Sequence, residues 1–183
     1  MILYSGNYGN RFYFYEVHQL IMKTGKQEAA ILDKKQALAK AENFCAYQER
    51  SQKEVRYKLV EWGMRGDELE EILSELITNN FLNEERFAKQ YASGKFNIKK
   101  WGRIKIKQGL KLKGVPDRIL QKALYSLDDD DYMQTIESLA LKKARTLNEV
   151  NPLKRKMKLM AYLQGRGFET DLILVALKAS NLN

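Results

Sequence analysis

The stretch GRIKIKQGLKLKG, Gly102 to Gly114, alternates apolar and basic residues on either side of a Gln108–Gly109 pair. Taken alone, it describes two short strands joined by a turn. Set against the rest of the chain it describes a helix, because it aligns without gaps to two segments that show no alternation. These are VRYKLVEWGMRGDELEEILSEL from Val55 and LMAYLQGRGFETDLILVALKAS from Leu159, laid over IKQGLKLKGVPDRILQKALYSL from Ile106. Each carries an apolar residue, a leucine and a glycine at four-residue steps: Val55, Leu59, Gly63; Ile106, Leu110, Gly114; Leu159, Leu163, Gly167. Past each glycine, apolar residues return at offsets six, nine and ten, as Leu69, Ile72, Leu73; Leu120, Ala123, Leu124; and Ile173, Ala176, Leu177.

Steps of three and four are the period of a helix, and glycine is the residue best able to take the left-handed conformation that closes one. Each segment therefore reads as helix, tight turn, helix. Glycine-to-glycine separations of 51 and 53 residues leave room for one further helix per unit. The expected fold is all-α: a tandem repeat of three three-helix units forming an elongated, curved helical stack. The units are expected over residues 35–80, 83–127 and 130–180, after a poorly ordered N-terminal extension over 1–24.

Capping residues agree with this count. Ser51 with Glu54 forms a capping box, Asp67 is placed to cap the helix after Gly66, and Asn83 precedes the acidic first turn of Glu84 and Glu85. The two prolines, Pro116 and Pro152, fall at helix starts, and Asn151 precedes the second. Within Gly102–Gly114, Gly109 is expected to weaken the helix by about 1 kcal/mol.

Of the 183 residues, 44% are hydrophobic, enough for a folded core, and the net charge of +9 favours a polyanionic partner. A single cysteine, Cys45, supports neither a disulfide framework nor a cysteine-based zinc site, which fits the cytoplasm. No apolar run approaches the length of a membrane span. Six aromatic residues between Tyr4 and Tyr15 set the N-terminus apart from everything after Lys23.

Charge is segregated along the chain. Arg86 to Arg118 holds eleven basic residues and one acid, Asp117, whereas Asp67 to Glu85 holds seven acids and no base. A second basic cluster, Lys154 to Lys158, occupies the same place in the third unit as Arg103, Lys105 and Lys107 in the second. Equivalent helices lying side by side would merge the two into one basic surface suited to a phosphate backbone. The residues expected to make that contact are Lys99, Lys100, Arg103, Lys105, Lys107, Lys111 and Lys113, with Lys154, Arg155 and Lys158. Lysines dominate this set, so its role would be charge neutralisation without base reading.

Nothing in the chain suggests catalysis. One histidine, His18, and one cysteine, Cys45, form no triad or dyad, and the run Asp128–Asp131 lacks the spaced ligands and glycine of a calcium loop. GRGF and GMRGDE lack the Lys-Ser/Thr of a nucleotide loop. No enzyme activity, metal or cofactor is expected. The aromatics Tyr57, Trp62, Tyr91, Phe96 and Trp101 recur at helical spacing and read as core.

Four blocks in order carry a resemblance to a known family. YQERSQKEVRYKLVEWGM, FLNEERFAKQY, KKWGRIKIKQGLKLKGV and AYLQGRGF together resemble the RecX family of bacterial RecA regulators, from about Leu38 to Ala179. Leu82, Arg86, Phe87 and Ala88 stand in register with that family's Leu-Asp-Asp-x-x-Phe-Ala type element, with Asn83 and Glu84 in place of the aspartates. The resemblance implies a non-enzymatic, monomeric protein of three-helix repeats. It would bind RecA filaments, and single- and double-stranded DNA without sequence specificity. It would mainly inhibit the recombinase and the filament's support of repressor self-cleavage in the SOS response. Charge alone is also compatible with a free-standing, sequence-independent helical DNA-binding protein, or with a helical adaptor that uses its basic stripe on an acidic protein.

Overall fold

Arg103–Leu112 is a helix, and Gly114 closes it in the left-handed region at φ 80°. The alternation of lysines and apolar residues therefore wraps around a cylinder, with Ile106 and Leu110 inward and fully buried. The structure, a computed structural model, describes residues 32–182; the extension expected over 1–24, with its aromatic run and His18, lies outside the described residues. Among the described residues there are nine helices and no strand. The first unit holds α1 (Lys34–Tyr47), α2 (Gln52–Glu61) and α3 (Gly66–Thr78). The second holds α4 (Glu84–Lys99), α5 (Arg103–Leu112) and α6 (Asp117–Tyr125). The third holds α7 (Asp129–Ala144), α8 (Pro152–Gly165) and α9 (Thr170–Ala179).

The middle helix of every unit ends the same way. Gly63, Gly114 and Gly167 have φ of 95°, 80° and 88°, and the N–H of the next residue returns to the buried leucine of the repeat. Met64 donates to Leu59, Val115 to Leu110 and Phe168 to Leu163, at 2.9, 3.2 and 3.3 Å. Met64, Val115 and Phe168 are themselves buried, so each turn satisfies the helix's last carbonyls and pins the chain to the core in one step.

Helix starts follow the capping residues. Ser51 and Glu54 form the reciprocal box on α2, while Asn83, Asp128 and Asn151 cap α4, α7 and α8. Asp67 departs from expectation. Gly66 adopts φ 52° and already begins α3, with Arg65 at the cap making no side-chain cap bond, so Asp67 lies in the first turn and contributes charge to the helix N-terminus instead.

Two cores form. Ala37, Ala41 and Cys45 sit at four-residue steps on α1 and meet Val55, Leu59, Ile72 and Leu76 in the first unit. Burial pushes the Cys45 thiol up to about 11. The second and third units share one continuous core, crossed by an aromatic series in which Phe96 stacks on Tyr132 and Tyr132 meets the edge of Phe168.

The joints between units differ accordingly. At the second joint, α5 and α8 do not lie side by side as repeat equivalence suggests. The C-terminal turn of α8 instead seats on the N-terminus of α5, and the close approach needs both glycines. A β-carbon on Gly102 would lie 2.2 Å from the Gly167 carbonyl oxygen, and one on Gly167 would lie 2.4 Å from the Lys105 β-carbon. Gly102 and Ile104 donate their N–H groups to the carbonyls of Arg166 and Gly167, at 2.9 and 3.0 Å. The Arg103 N–H between them donates to the Tyr132 hydroxyl at 2.7 Å, which in turn donates to Glu169. Gly102 supplies no side-chain cap to α5, so the third unit satisfies amides that a helix start otherwise leaves open.

Side chains make the first joint. Lys113 meets Glu54 at 2.6 Å, Lys53 donates to the Leu112 carbonyl at 3.0 Å, Arg86 pairs with Glu49, and the Gln52 N–H donates to Glu84 at 2.8 Å. Glu84 is buried and its second oxygen has no partner. Burial raises its carboxyl above the usual range against the Gln52 hydrogen bond, and Glu54 adds to the rise. Burial also opposes the charge on Glu54, but Lys113 and the Ser51 cap outweigh it and hold that carboxyl low.

Gly109 is not merely a weak point of α5. A β-carbon there would lie 2.3 Å from the Tyr91 hydroxyl, so the glycine admits that ring between α4 and α5.

Gly102→Ala should cost about 1–3 kcal/mol, since the added methyl overlaps backbone that cannot step aside. Gly94→Ala, within α4 and with nothing within 4 Å of the new carbon, should gain about 0.5–1 kcal/mol. Urea unfolding of both variants reads the opposite signs.

The sign for Glu84 follows from its raised value. A carboxyl with a higher value folded than unfolded, against an ordinary value of about 4.3, contributes stability at low pH that is lost as pH rises through that interval. Glu84→Gln keeps the acceptor for Gln52 without burying a charge. Its stability relative to the unsubstituted protein should therefore improve as pH rises above the ordinary carboxylate value of about 4.3, by urea unfolding at each pH.

Candidate nucleic-acid interface

The second joint gathers positive charge from two units around one ring. Trp101, in the turn between α4 and α5, has the Lys95 and Lys105 ammonium groups 5.1 and 4.9 Å from its ring centre. Lys105 also donates to the Gly165 carbonyl at 3.3 Å. From the third unit, Arg166 donates to the Lys99 carbonyl at 3.2 Å and stacks over Tyr162. Lys100, in the left-handed conformation that ends α4, lays its ammonium over Phe96. These aromatic faces hold the cationic heads themselves at the joint.

The ten residues expected from sequence separate into two groups. Lys99, Lys100, Lys105, Lys107, Lys154 and Arg155 have no carboxylate within 4 Å among the described residues, and Arg155 is fastened to the Ala144 carbonyl at 3.0 Å. Arg103, Lys111, Lys113 and Lys158 each face an acid: Asp129, Asp117, Glu54 and Glu149. Arg103 is the most committed. It is largely buried, pairs with Asp129, lies 4.2 Å over Tyr132 and stands at the joint itself. Its Nε is buried without a partner.

Lys154, Arg155 and Lys158 do not continue the Trp101 cluster directly. The contact of α8 with α5 is at the far end of α8, so Lys154 lies about 16 Å along the helix axis from Gly165, at 1.5 Å per residue.

Two cations of the cluster, Lys95 and Arg166, stand outside the set expected from sequence. Lys95 lies within the same basic interval of α4, one turn before Lys99, and Arg166 immediately precedes a repeat glycine, the place that Lys113 holds one unit earlier. Both signals were present in the sequence.

An open groove of about 400 Å³ lies between the α1–α2 turn and α4. Gln48, Phe87, Tyr91 and Ile98 line it, with Lys95 and Lys99 at its rim, so it adjoins the cluster. Among the described residues no group of His, Cys, Asp and Glu converges as metal ligands do, and no helix is long and apolar enough to cross a membrane. The Asp128–Asp131 run starts α7, with Asp128 as its cap and Asp129 on Arg103.

Comparison with known proteins agrees with the fold of three three-helix units. Models of the first, second and third three-helix domains of RecX match residues 37–76, 83–124 and 129–177. The regulatory protein RecX of Clostridium acetobutylicum is 34% identical over 146 residues, covering 78% of this chain and 67% of that protein. The regulatory protein RecX of Prosthecochloris aestuarii is 33% identical over 141 residues, covering 77% and 91%. The crystal structure of RecX from Lactobacillus salivarius superposes with a TM-score of 0.77 at 28% identity, over 82% of this chain and 98% of that one.

Arg103 and Lys107 should separate structure from binding. Arg103→Met should lower stability by about 1–3 kcal/mol, because it strips the joint of its cation, whereas Lys107→Met should stay within about 0.5 kcal/mol. Thermal unfolding of the two variants checks this.

Proposed function

The chain belongs to the RecX family, and on that footing we propose that it is a cytoplasmic, monomeric regulator that binds RecA nucleoprotein filaments and restrains them. The observation that carries the DNA side of this reading is the acid-free basic cluster around Trp101, built by the second and third units together. Lys95, Lys99, Lys100, Lys105 and Arg166 are spread along one joint and are predominantly lysines. Such a set neutralises phosphates and carries no base code, so it binds single- and double-stranded DNA without sequence preference.

A protein that reads only the backbone suits a filament in which sequence is irrelevant. Seated along the filament, it opposes the rearrangements that strand exchange requires, and it obstructs the surface on which repressor self-cleavage is supported. Catalysis by this chain has no part in the reading.

Substoichiometric protein should depress the single-strand-dependent ATPase and strand exchange of RecA, and no effect on either would overturn the proposal. Lys99→Glu/Lys107→Glu, two positions with no internal acid, should weaken binding to DNA while leaving the fold intact. If five phosphates are neutralised, the affinity of the unsubstituted protein for duplex should fall with salt at a log–log slope of about −4.5. Gel retardation across a salt series measures both.

A further inference from the structure

α8 begins well and then buries nothing for two turns. Asn151 caps it, Pro152 sits at its first position, and Arg155 fastens it to the end of α7 through the Ala144 carbonyl. Its buried residues are only Leu159 and Leu163, in its second half. Ahead of them, Leu153 and Met157 fall at i and i+4, and therefore on one face of the helix, with exposures of 67% and 62%, and Val150, just before the cap, is exposed as well. No acid lies in the first turn of α8. Lys154 and Lys156 alternate with the apolar residues, while Lys158 is already held by Glu149.

This ridge differs in chemistry from the Trp101 cluster. There, cations lie over the faces of Trp101, Phe96 and Tyr162. On α8, leucine and methionine stand exposed between lysines, and a phosphate backbone has nothing to offer them. A groove with an apolar floor and an acidic rim matches both features: the floor takes Leu153 and Met157, and the rim takes Lys154 and Lys156.

We propose that the α8 ridge is a docking surface for an acidic, apolar-lined groove on a protein partner, separate from the phosphate-binding cluster at the second joint. This rests on the reading of the chain as a filament regulator, and it assigns the two halves of that contact to two surfaces. The ridge takes protein, and the Trp101 cluster takes nucleic acid.

The test is Leu153→Ser/Met157→Ser. Both side chains are exposed, so circular dichroism and thermal unfolding should match the unsubstituted protein. Gel retardation of free single-stranded DNA should change less than about twofold, while the concentration that half-inhibits the RecA ATPase should rise about tenfold or more, as for interface anchors. Lys99→Glu/Lys107→Glu, which leaves the ridge untouched, should lose retardation of free DNA first.

If the unsubstituted protein inhibits RecA and the double serine variant inhibits it equally, the inference is wrong while the functional reading stands. It is equally wrong if DNA retardation and inhibition fall together in that variant. It also fails if the ridge instead mediates self-association, seen as a mass that falls to monomer only in the variant, or binding to anionic phosphatidylglycerol vesicles lost only in the variant. An unsubstituted protein without effect on RecA would overturn the functional reading and this inference with it.

Discussion

Gly102 and Gly167 bring two backbones together so closely that a side chain on either would occupy its neighbour. At that contact the turn that ends α8 supplies carbonyls to the amides that begin α5, and Tyr132 supplies the hydroxyl between them. A helix that starts at glycine, with no cap of its own, is thereby completed by the following unit. Burial around the Tyr132 ring pushes the phenol far above its ordinary value, with Glu169 adding to the rise, so the hydroxyl stays protonated and keeps bridging. The same approach carries Arg166 onto the end of α4 and Lys105 under the end of α8. The joint thus adds Arg166 to a cluster whose other cations, Lys95, Lys99, Lys100 and Lys105, come from the second unit.

The first joint repeats this arrangement with different chemistry. The turn of α5 meets the start of α2 as the turn of α8 meets the start of α5, but there Lys113 finds Glu54. One unit later, the alignment puts Arg166 in the place of Lys113 and Lys105 in the place of Glu54. Replacing that acid by a base removes the ion pair and leaves two cations together. Backbone hydrogen bonds and a shared aromatic core hold the second joint in its stead. Charge that would be internal at one joint is outward at the other, which accounts for where positive surface collects.

Much of this was legible in the sequence, and for stated reasons. The triplets ending at Gly63, Gly114 and Gly167 gave the three turns, because only the left-handed cap and the buried leucine together explain that spacing. Ser51, Asn83, Asn151 and the two prolines marked helix starts, since capping depends on residues adjacent in the chain. Contacts between units were not legible in this way. Repeat equivalence suggested that α5 and α8 lie side by side, and nothing local announces that Gly102 serves a close approach to Gly167. Arg103 looked like one more cation of a stripe, since its ties to Asp129 and Tyr132 cross 26 and 29 residues. Glu84 stands in for an aspartate of the resembled motif and still reaches the first amide of α2, so the longer carboxylate serves the joint.

Native-state hydrogen exchange at Gly102, Arg103 and Ile104 reads whether the third unit completes α5. Amides at a helix start ordinarily exchange readily, because they have no partner within the helix. If the third unit completes α5, these three should exchange only on unfolding of the second and third units, with protection equal to that of Leu110 and Leu163 in the core. Exchange at the rate of exposed turn amides, with the core still protected, would contradict the account.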